Sequence, residues 1–395
     1  PFSIFQSSVR IKRMTIAEVL TRQVEKILPS QKGLESLMRK KKIRLYLGVD
    51  PTGKHLHLGH AIPLRKLQQF ADLGHEAILV VGTGTVLAGD PSQRATARPL
   101  IAQEEIKENI KTWRKQAAKI LDFSKVKVRF NGDWLLALRL SEVVSIASNI
   151  SASQLFQRDM FQARLKRGDT VWTHELLYPM LQGYDSVALD VDLEIGGTDQ
   201  LFNMLVGREL QKKMRTREKY VLCTPMLMGL DGRPMSKTSG NTVNILDAPQ
   251  EMYGKLMSMK DELIAHYFEL CTDVSKQEVG GLSPRDAKAR LAREIVILYH
   301  GVGAAKKAER EFGEVFQKRR APSEVPEFKS KQITIGLTDL VVQAGLASSK
   351  SAARRLIEQG GVRVDGGVEK DSSFVVSLRK GMLLQAGKRR FVRIA

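Results

Sequence analysis

The sequence predicts an α/β protein: a parallel-sheet domain interrupted by a helical insertion, then a helical domain and a small α+β module. Three observations carry this reading. The stretch Tyr46 to His60, Y-L-G-V-D-P-T-G-K-H-L-H-L-G-H, passes from strand through turn to helix. A fully buried strand over 77–81 follows that helix, which makes a strand-helix-strand unit whose strands must run parallel. Beyond residue 332 the chain changes to short helices and strands rich in lysine and arginine.

Taken in order, residues 1–13 lack an initiator methionine and any acidic residue. Met14 is therefore read as the natural start, with 1–13 a non-native or disordered leader. Arg10, Lys12 and Arg13 among serines would also suit the remnant of an organelle-targeting peptide. An amphipathic segment runs from Met14 to near Leu28. Ile43, Leu45, Leu47 and Val49 then alternate as a strand that breaks at the turn-formers Asp50-Pro51-Thr52-Gly53. Ala61, Leu64, Leu67 and Ala71 recur at helical spacing until Gly74. His57 and His60 stand where that helix begins, and its unpaired N–H groups and partial positive charge suit a phosphate.

Gly82-Thr83-Gly84-Thr85 and Gly89-Asp90-Pro91-Ser92 put pliant backbone at the carboxyl end of the second strand, where open parallel sheets bind ligands. Residues 100–178 hold mainly helical patterns and read as an insertion between two halves of a nucleotide-binding sheet, the second half resuming at Tyr178. A short strand over 193–195 turns through Gly196-Gly197-Thr198-Asp199-Gln200 into a helix reaching about Met214, and another strand covers 220–223. A glycine- and hydroxyl-rich loop, 229–241, is expected to be mobile. The boundaries are thus 14–245 for the sheet domain, 246–320 for a helical bundle packed behind it, 321–332 for a linker and 333–395 for the last module. In that module helices are expected over 337–343 and 349–358, and strands around 362–364, 374–377 and 391–394.

A chain of 395 residues is too long for one ordinary core, and its 43% hydrophobic content supports globular folding. Its net charge of +20 and pI near 9.9 call for a polyanionic partner, with nucleic acid first. In the last module basic residues outnumber acids, Lys350, Arg354 and Arg355 share a helix, and Lys388, Arg389 and Arg390 occupy a hairpin turn. That is the footprint of phosphate-backbone binding. Cys223 and Cys271 lie far apart without metal-ligand spacing, which fits a reduced, cytoplasmic setting and no structural metal. No apolar run approaches the length of a membrane span, which argues against an integral membrane protein.

His57-Leu58-Gly59-His60 resembles the H-I-G-H signature of class I aminoacyl-tRNA synthetases and related nucleotidyltransferases, in which both histidines face ATP and the glycine lets the base approach. Their second hallmark is a flexible lysine loop, K-M-S-K-S. Pro234-Met235-Ser236-Lys237-Thr238 matches it in part: Pro234 stands for the first lysine, with Arg233 beside it as a candidate substitute, and Thr238 keeps a hydroxyl. Y-P-M-L-Q-G-Y-D-S-V-A-L and E-I-G-G-T-D-Q-L-F-N, lying between the two signatures, resemble tyrosyl-tRNA synthetases of the bacterial type. The segment L-T-D-L-V-V-Q-A-G-L-A-S-S-K-S-A-A-R-R-L-I-E-Q-G-G-V-R-V-D-G resembles the S-four RNA-binding domain. Together the resemblance runs from about Thr15 to Ala395.

This resemblance implies a Rossmann-like fold for the sheet domain and a role for each matching residue. Tyr178, Gln182, Asp90 and Thr85 would hold the ammonium and backbone of tyrosine, and Tyr46 and Asp185 its phenolic hydroxyl. Asp199 would hold the ATP ribose, with Gly48, Asp50, Gly59, Gly197 and Gln200 lining the same site. Thr52, His57 and His60 would face the phosphates, Met235, Ser236 and Lys237 would close on ATP, and Arg94 and Arg98 would lie near pyrophosphate. The chain has Gln93 where the family has glycine, which alters the loop after Asp90. Implied too are Mg-ATP as substrate without a tightly bound metal, tRNA(Tyr) and L-tyrosine as partners, and a homodimer joined through the insertion. The reaction would use no protein nucleophile, only positioning and charge stabilisation. A tryptophanyl enzyme, a small cytidylyl- or adenylyltransferase and an RNA-binding paralogue with an impaired catalytic domain are the alternatives. The last would account for Pro234.

Overall fold

Alternating apolar residues on either side of the Asp50 turn set up a parallel sheet in the computed structural model, which describes residues 14–92, 102–235, 240–317, 325–330, 332–387 and 390–395. The leader 1–13, positions 321–324 and 331 of the linker, and Gln93, Arg94, Arg98, Ser236, Lys237, Thr238, Lys388 and Arg389 lie outside the described residues. By compactness the chain divides into two units, 1–247 with 259–291 and 248–258 with 292–395.

In the first unit the described residues form a six-stranded sheet from β1 (Lys26–Leu28), β2 (Arg44–Val49), β3 (Glu76–Val81), β4 (Val126–Phe130), β5 (Leu193–Gly197) and β6 (Tyr220–Thr224), in the order β1-β6-β5-β2-β3-β4. β2 to β6 run parallel, and β1 caps the β6 edge in antiparallel register. Leu45, Leu47, Val80, Leu193 and Val221 are buried, as strands covered on both faces require. Strand order reverses between β2 and β5. That switch point is where a doubly wound sheet opens a crevice at its carboxyl edge.

Local chemistry explains the helices that flank it. The helix Leu58–Asp72 begins after extended His57, the Leu58 N–H donates to the Val243 carbonyl at 3.0 Å, and Gly74 at φ 89° lets the chain turn back into β3. The insertion carries a buried ion pair: both Arg164 terminal nitrogens donate to Glu175, at 2.7 and 3.0 Å. This fork ties Asp159–Lys166 to the start of the helix Thr173–Leu189, which bears Tyr178, Gln182 and Asp185.

The region read as a helical insertion, 100–178, also contains β4. Its alternating V-K-V-R-F pairs along β3, from Ala77 with Val126 to Val81 with Phe130, because β3 otherwise presents an open edge. Tyr178 does not open the second half but lies within an unbroken helix. The first amphipathic segment is likewise two elements, a helix Ile16–Thr21 closed by a Thr15–Glu18 capping box and then β1. The region 246–320 is shared between the units rather than forming one bundle. Arg22 donates to the Thr272 carbonyl at 2.6 Å, Gln23 to that of Leu270 at 2.8 Å and Arg65 to that of Cys271 at 2.5 Å, which holds the helix Ile264–Cys271 to the sheet unit.

In the second unit the part of the long helix Pro284–Gln317 from Ala292 onward turns at Gly301, φ 84°, and Arg293 and Glu309 pair across the bend. The terminal module has a five-stranded sheet in the order Gly367–Glu369, Val362–Val364, Leu383–Ala386, Arg390–Ile394 and Glu327–Phe328, the last pair parallel. The helices Leu337–Gln343 and Lys350–Glu358 pack through Leu337, Leu340, Val341, Ala353 and Ile357 onto Val362 and Leu384. Among the described residues no helix is long and apolar enough to cross a membrane.

Candidate active site

The crevice at the switch point is built from the segments at the carboxyl ends of the strands: Asp50 after β2, Gly82 to Ser92 after β3, Asn131 to Trp134 after β4 and Thr198 to Gln200 after β5. Two glycines are required by close approach. A Cβ at Gly82 would stand 1.8 Å from an Asp50 carboxylate oxygen, and one at Gly197 would stand 2.4 Å from Asp199 Oδ1.

A chain of hydrogen bonds joins several of the residues singled out in the sequence. Tyr178 Oη donates to Asp50 Oδ2 at 2.9 Å, and Thr85 Oγ1 donates to Asp50 Oδ1 at 2.7 Å. Asn131 Nδ2 donates to Thr85 Oγ1 at 3.0 Å and to Asp185 Oδ2 at 3.1 Å, while Trp134 Nε1 donates to Asp185 Oδ1 at 2.8 Å. Burial pushes the Asp185 carboxyl up, Glu194 and Asp50 add to that, and the Asn131 and Trp134 donors pull it back.

Tyr46 belongs to a neighbouring network. β2 and β5 place it side by side with Glu194, and its Oη lies 3.0 Å from Ser186 Oγ. Lys219, directly before β6, donates to Ser186 Oγ at 2.7 Å and pairs with Glu194. Gln182, expected at the ammonium and backbone of the substrate, donates from Nε2 to Glu194 Oε1 at 3.1 Å.

At the other side of the crevice Gln200 Nε2 donates to Asp90 Oδ2 at 2.9 Å and to Asp199 Oδ2 at 2.8 Å. Burial, with Asp90 close by, raises the Asp199 carboxyl, so a cation or a hydroxyl donor would complement this pair of acids. Arg158, from the insertion, reaches Ser92 Oγ at 2.9 Å with its guanidinium 4.6 Å from the Phe202 ring centre; burial lowers its pKa to about 10.

The two signatures meet at the start of Leu58–Asp72. The His57 and His60 rings lie 3.7 Å apart, and the His57 N–H donates to His60 Nδ1 at 3.2 Å. His57 bridges Asn244, and a Cβ on Gly59 would come 3.7 Å from Met235 Sδ, so both stems of the lysine loop flank the histidines. Thr52 donates its N–H to the Asp50 carbonyl at 2.7 Å, and Gly48 is exposed near the end of β2. Arg233 is held by Asp231 at 2.6 Å, and Asn241 Nδ2 donates to the same carboxylate at 2.8 Å and to the Pro234 carbonyl at 3.2 Å.

In the terminal module Lys350, Arg354 and Arg355 are exposed on one helix, Lys350 pairing with Asp339, and Arg390 is exposed at the start of the last strand. Sequence reasoning missed Asn131, Trp134, Arg158, Ser186, Glu194 and Lys219. For Asn131 and Trp134 a signal existed: N-G-D-W directly after an alternating run, the position of a ligand loop once that run is recognised as a parallel strand. For Glu194 and Lys219 it was an acid and a base inside or beside otherwise apolar strands.

Residues 38–317 match the family described as tRNA synthetases class I (W and Y), and residues 335–381 match the S4 domain. The chain is 44% identical over 388 residues to the tyrosine–tRNA ligase of Thermotoga maritima, covering 96% of each, and 40% identical to tyrosine–tRNA ligase 2 of Vibrio cholerae, covering 96% of this chain and 98% of that one. Its fold is that of a C-terminally truncated mitochondrial tyrosyl-tRNA synthetase from Aspergillus nidulans (TM-score 0.66, 22% identity, 77% of this chain and 95% of that one). It is also that of a tyrosyl-tRNA synthetase from Archaeoglobus fulgidus complexed with L-tyrosine (TM-score 0.60, 22% identity, 75% and 100%). With paired signatures flanking a switch-point crevice, and a basic S4 module later in the sequence, the chain belongs to the tyrosine–tRNA ligase family of class I tRNA synthetases.

Proposed function

We propose that the chain activates L-tyrosine with ATP and transfers it to the 3′ end of tRNA(Tyr). The observation that carries this reading is the two buried polar tips, Tyr46 Oη and the Asp185 carboxylate, which are close enough to interact, with Asp185 linked through Asn131 and Thr85 to Asp50 at the end of β2. A pocket that hydrogen-bonds a phenol strands these groups when phenylalanine enters, an argument for which this enzyme family is itself the standing example.

In the first step a tyrosine carboxylate oxygen attacks the α-phosphorus of ATP in line. The new P–O bond forms as the bond to pyrophosphate breaks, and Mg²⁺ enters with the nucleotide. Asp50, Thr85, Asp90 and Tyr178 supply the acceptors an ammonium needs, and exchange their present partners for it. Asp199 suits the ribose hydroxyls. His57, His60 and Lys237 stabilise charge on the departing phosphates, with Thr52, Arg94 and Arg98 around them. In the second step the terminal ribose hydroxyl of tRNA attacks the adenylate carbonyl and AMP leaves. No side chain bonds covalently to substrate.

A second copy of the chain is the proposed cover for Leu136, Leu140 and Val144. They recur every fourth residue on the insertion and are 66%, 79% and 59% exposed. Leu140→Glu should yield monomers in sedimentation. The cytoplasm is the proposed location.

Exchange of labelled pyrophosphate into ATP, run with each of the twenty amino acids, tests the function. Exchange supported by tyrosine is expected; exchange with tryptophan instead, or with none, would replace the reading by one of the alternative activities.

A further inference from the structure

Lys219, Ser186 and Tyr46 are each 0% exposed and Glu194 is 1% exposed, so every bond among them is made inside the protein. An ammonium has donors only, so Lys219 gives a proton to Ser186 Oγ at 2.7 Å and another to Glu194 Oε2. The Ser186 proton goes to the same carboxylate oxygen, 3.4 Å away. With that proton turned to Glu194, we read the 3.0 Å contact, in which either oxygen could donate, as running from Tyr46 Oη to Ser186 Oγ. The Tyr46 oxygen is left with lone pairs alone. Both Asp185 oxygens, beside it, already accept N–H bonds from Asn131 and Trp134.

We propose that Lys219, Glu194 and Ser186 are positioning residues that turn the Tyr46 proton away from the substrate and make the pocket floor a set of hydrogen-bond acceptors. This rests on the ligase reading and deepens it. The floor then selects a proton donor at the para position of the ring, whether O–H or N–H, and rejects a para acceptor of similar size. An amine carries two such protons, one for Tyr46 Oη and one for Asp185.

The test is pyrophosphate exchange with tyrosine, 4-aminophenylalanine and 4-fluorophenylalanine on the full chain. The 4-amino compound should exceed the 4-fluoro compound in kcat/KM by about tenfold or more, the scale of one buried hydrogen bond. Ser186→Ala, and the paired replacement Glu194→Gln with Lys219→Met that leaves no lone buried charge, should release the Tyr46 proton and bring the two analogues within about threefold of each other. The ratio is the readout because looser packing lowers both analogues together. A native enzyme that treats the analogues alike overturns the inference, whatever the variants do, and so does an unchanged ratio in folded variants. Failure of tyrosine itself to support exchange would overturn the ligase reading, and this inference with it.

Discussion

Lys219 and Glu194 face each other with side chains 0% and 2% exposed, whereas Arg354 and Arg355 stand in solvent on a helix whose other face packs through Ala353 and Ile357. The first arrangement, repeated in Arg164 and Glu175, has no field to offer a distant ligand. Its charges are spent on each other, and they act by fixing where neighbouring groups point. The second fixes nothing, and on the proposed function it would act at a distance, through counterions displaced from a polyanion. A small substrate read atom by atom suits the one, and a long nucleic acid held by its backbone suits the other. The two regions should therefore fail separately, and respond to salt differently.

The largest effect should come from Lys237→Ala, which is expected to slow adenylate formation on the order of 10²- to 10³-fold while tyrosine affinity stays within about twofold, since its charge is needed as pyrophosphate departs. Pre-steady-state kinetics read both numbers; a parallel loss of affinity would make Lys237 a ground-state ligand. Pro234→Lys should leave the rate unchanged or raise it.

Ending the chain after Pro326 removes the strand Glu327–Phe328 with the module it pairs with. Pyrophosphate exchange should survive, while tRNA charging falls on the order of 100-fold at moderate salt. Charging at the full rate would erase the division of labour between the two regions.

Within the first unit, Asp185→Ala should reduce the preference for tyrosine over phenylalanine about tenfold or more in competitive exchange. It also strands the Asn131 and Trp134 donors, so a stability loss of about 1–3 kcal/mol should accompany it in denaturant titration. Undiminished preference would leave the reading of the hydroxyl to Tyr46.

The smallest effect belongs to the cations of the terminal module. Neutral replacements at Arg354, Arg355, Lys388, Arg389 and Arg390 should flatten the dependence of tRNA affinity on salt, by about one unit of log-log slope for each phosphate no longer neutralised. An unaltered slope would show that other cations grip the tRNA.

Legibility of the fold depended on sequence distance. Asp50-Pro51-Thr52-Gly53 announces its own turn, and β2, the helix Leu58–Asp72 and β3 can be read from periodicity within one window. In the terminal module both helices and the strands near 362–364, 374–377 and 391–394 were readable. Thr334–Gly336, Gly367–Glu369 and Leu383–Ala386 were not, nor was Glu327–Phe328 inside the stretch expected to be a linker, because each is only two to four residues long and is fixed by its pairing partner. β4 was lost because five alternating residues sit among helices, and only the open edge of β3 decides their conformation. The links from Tyr46 to Ser186 and from Lys219 to Glu194 were invisible for a different reason. They join residues that approach only after the sheet has brought β2, β5 and β6 together. Periodicity reports which residues are buried, not which buried polar groups meet.

The most direct test of the division between the two regions is to mix the full chain with ATP and labelled tyrosine, without tRNA, and isolate the label that stays on the protein. The account predicts bound tyrosyl-adenylate, near one per active site, that passes its label to tRNA(Tyr) when the tRNA is added. Adenylate that forms only once tRNA is present would contradict it, because tyrosine activation would then depend on the partner proposed for the terminal module.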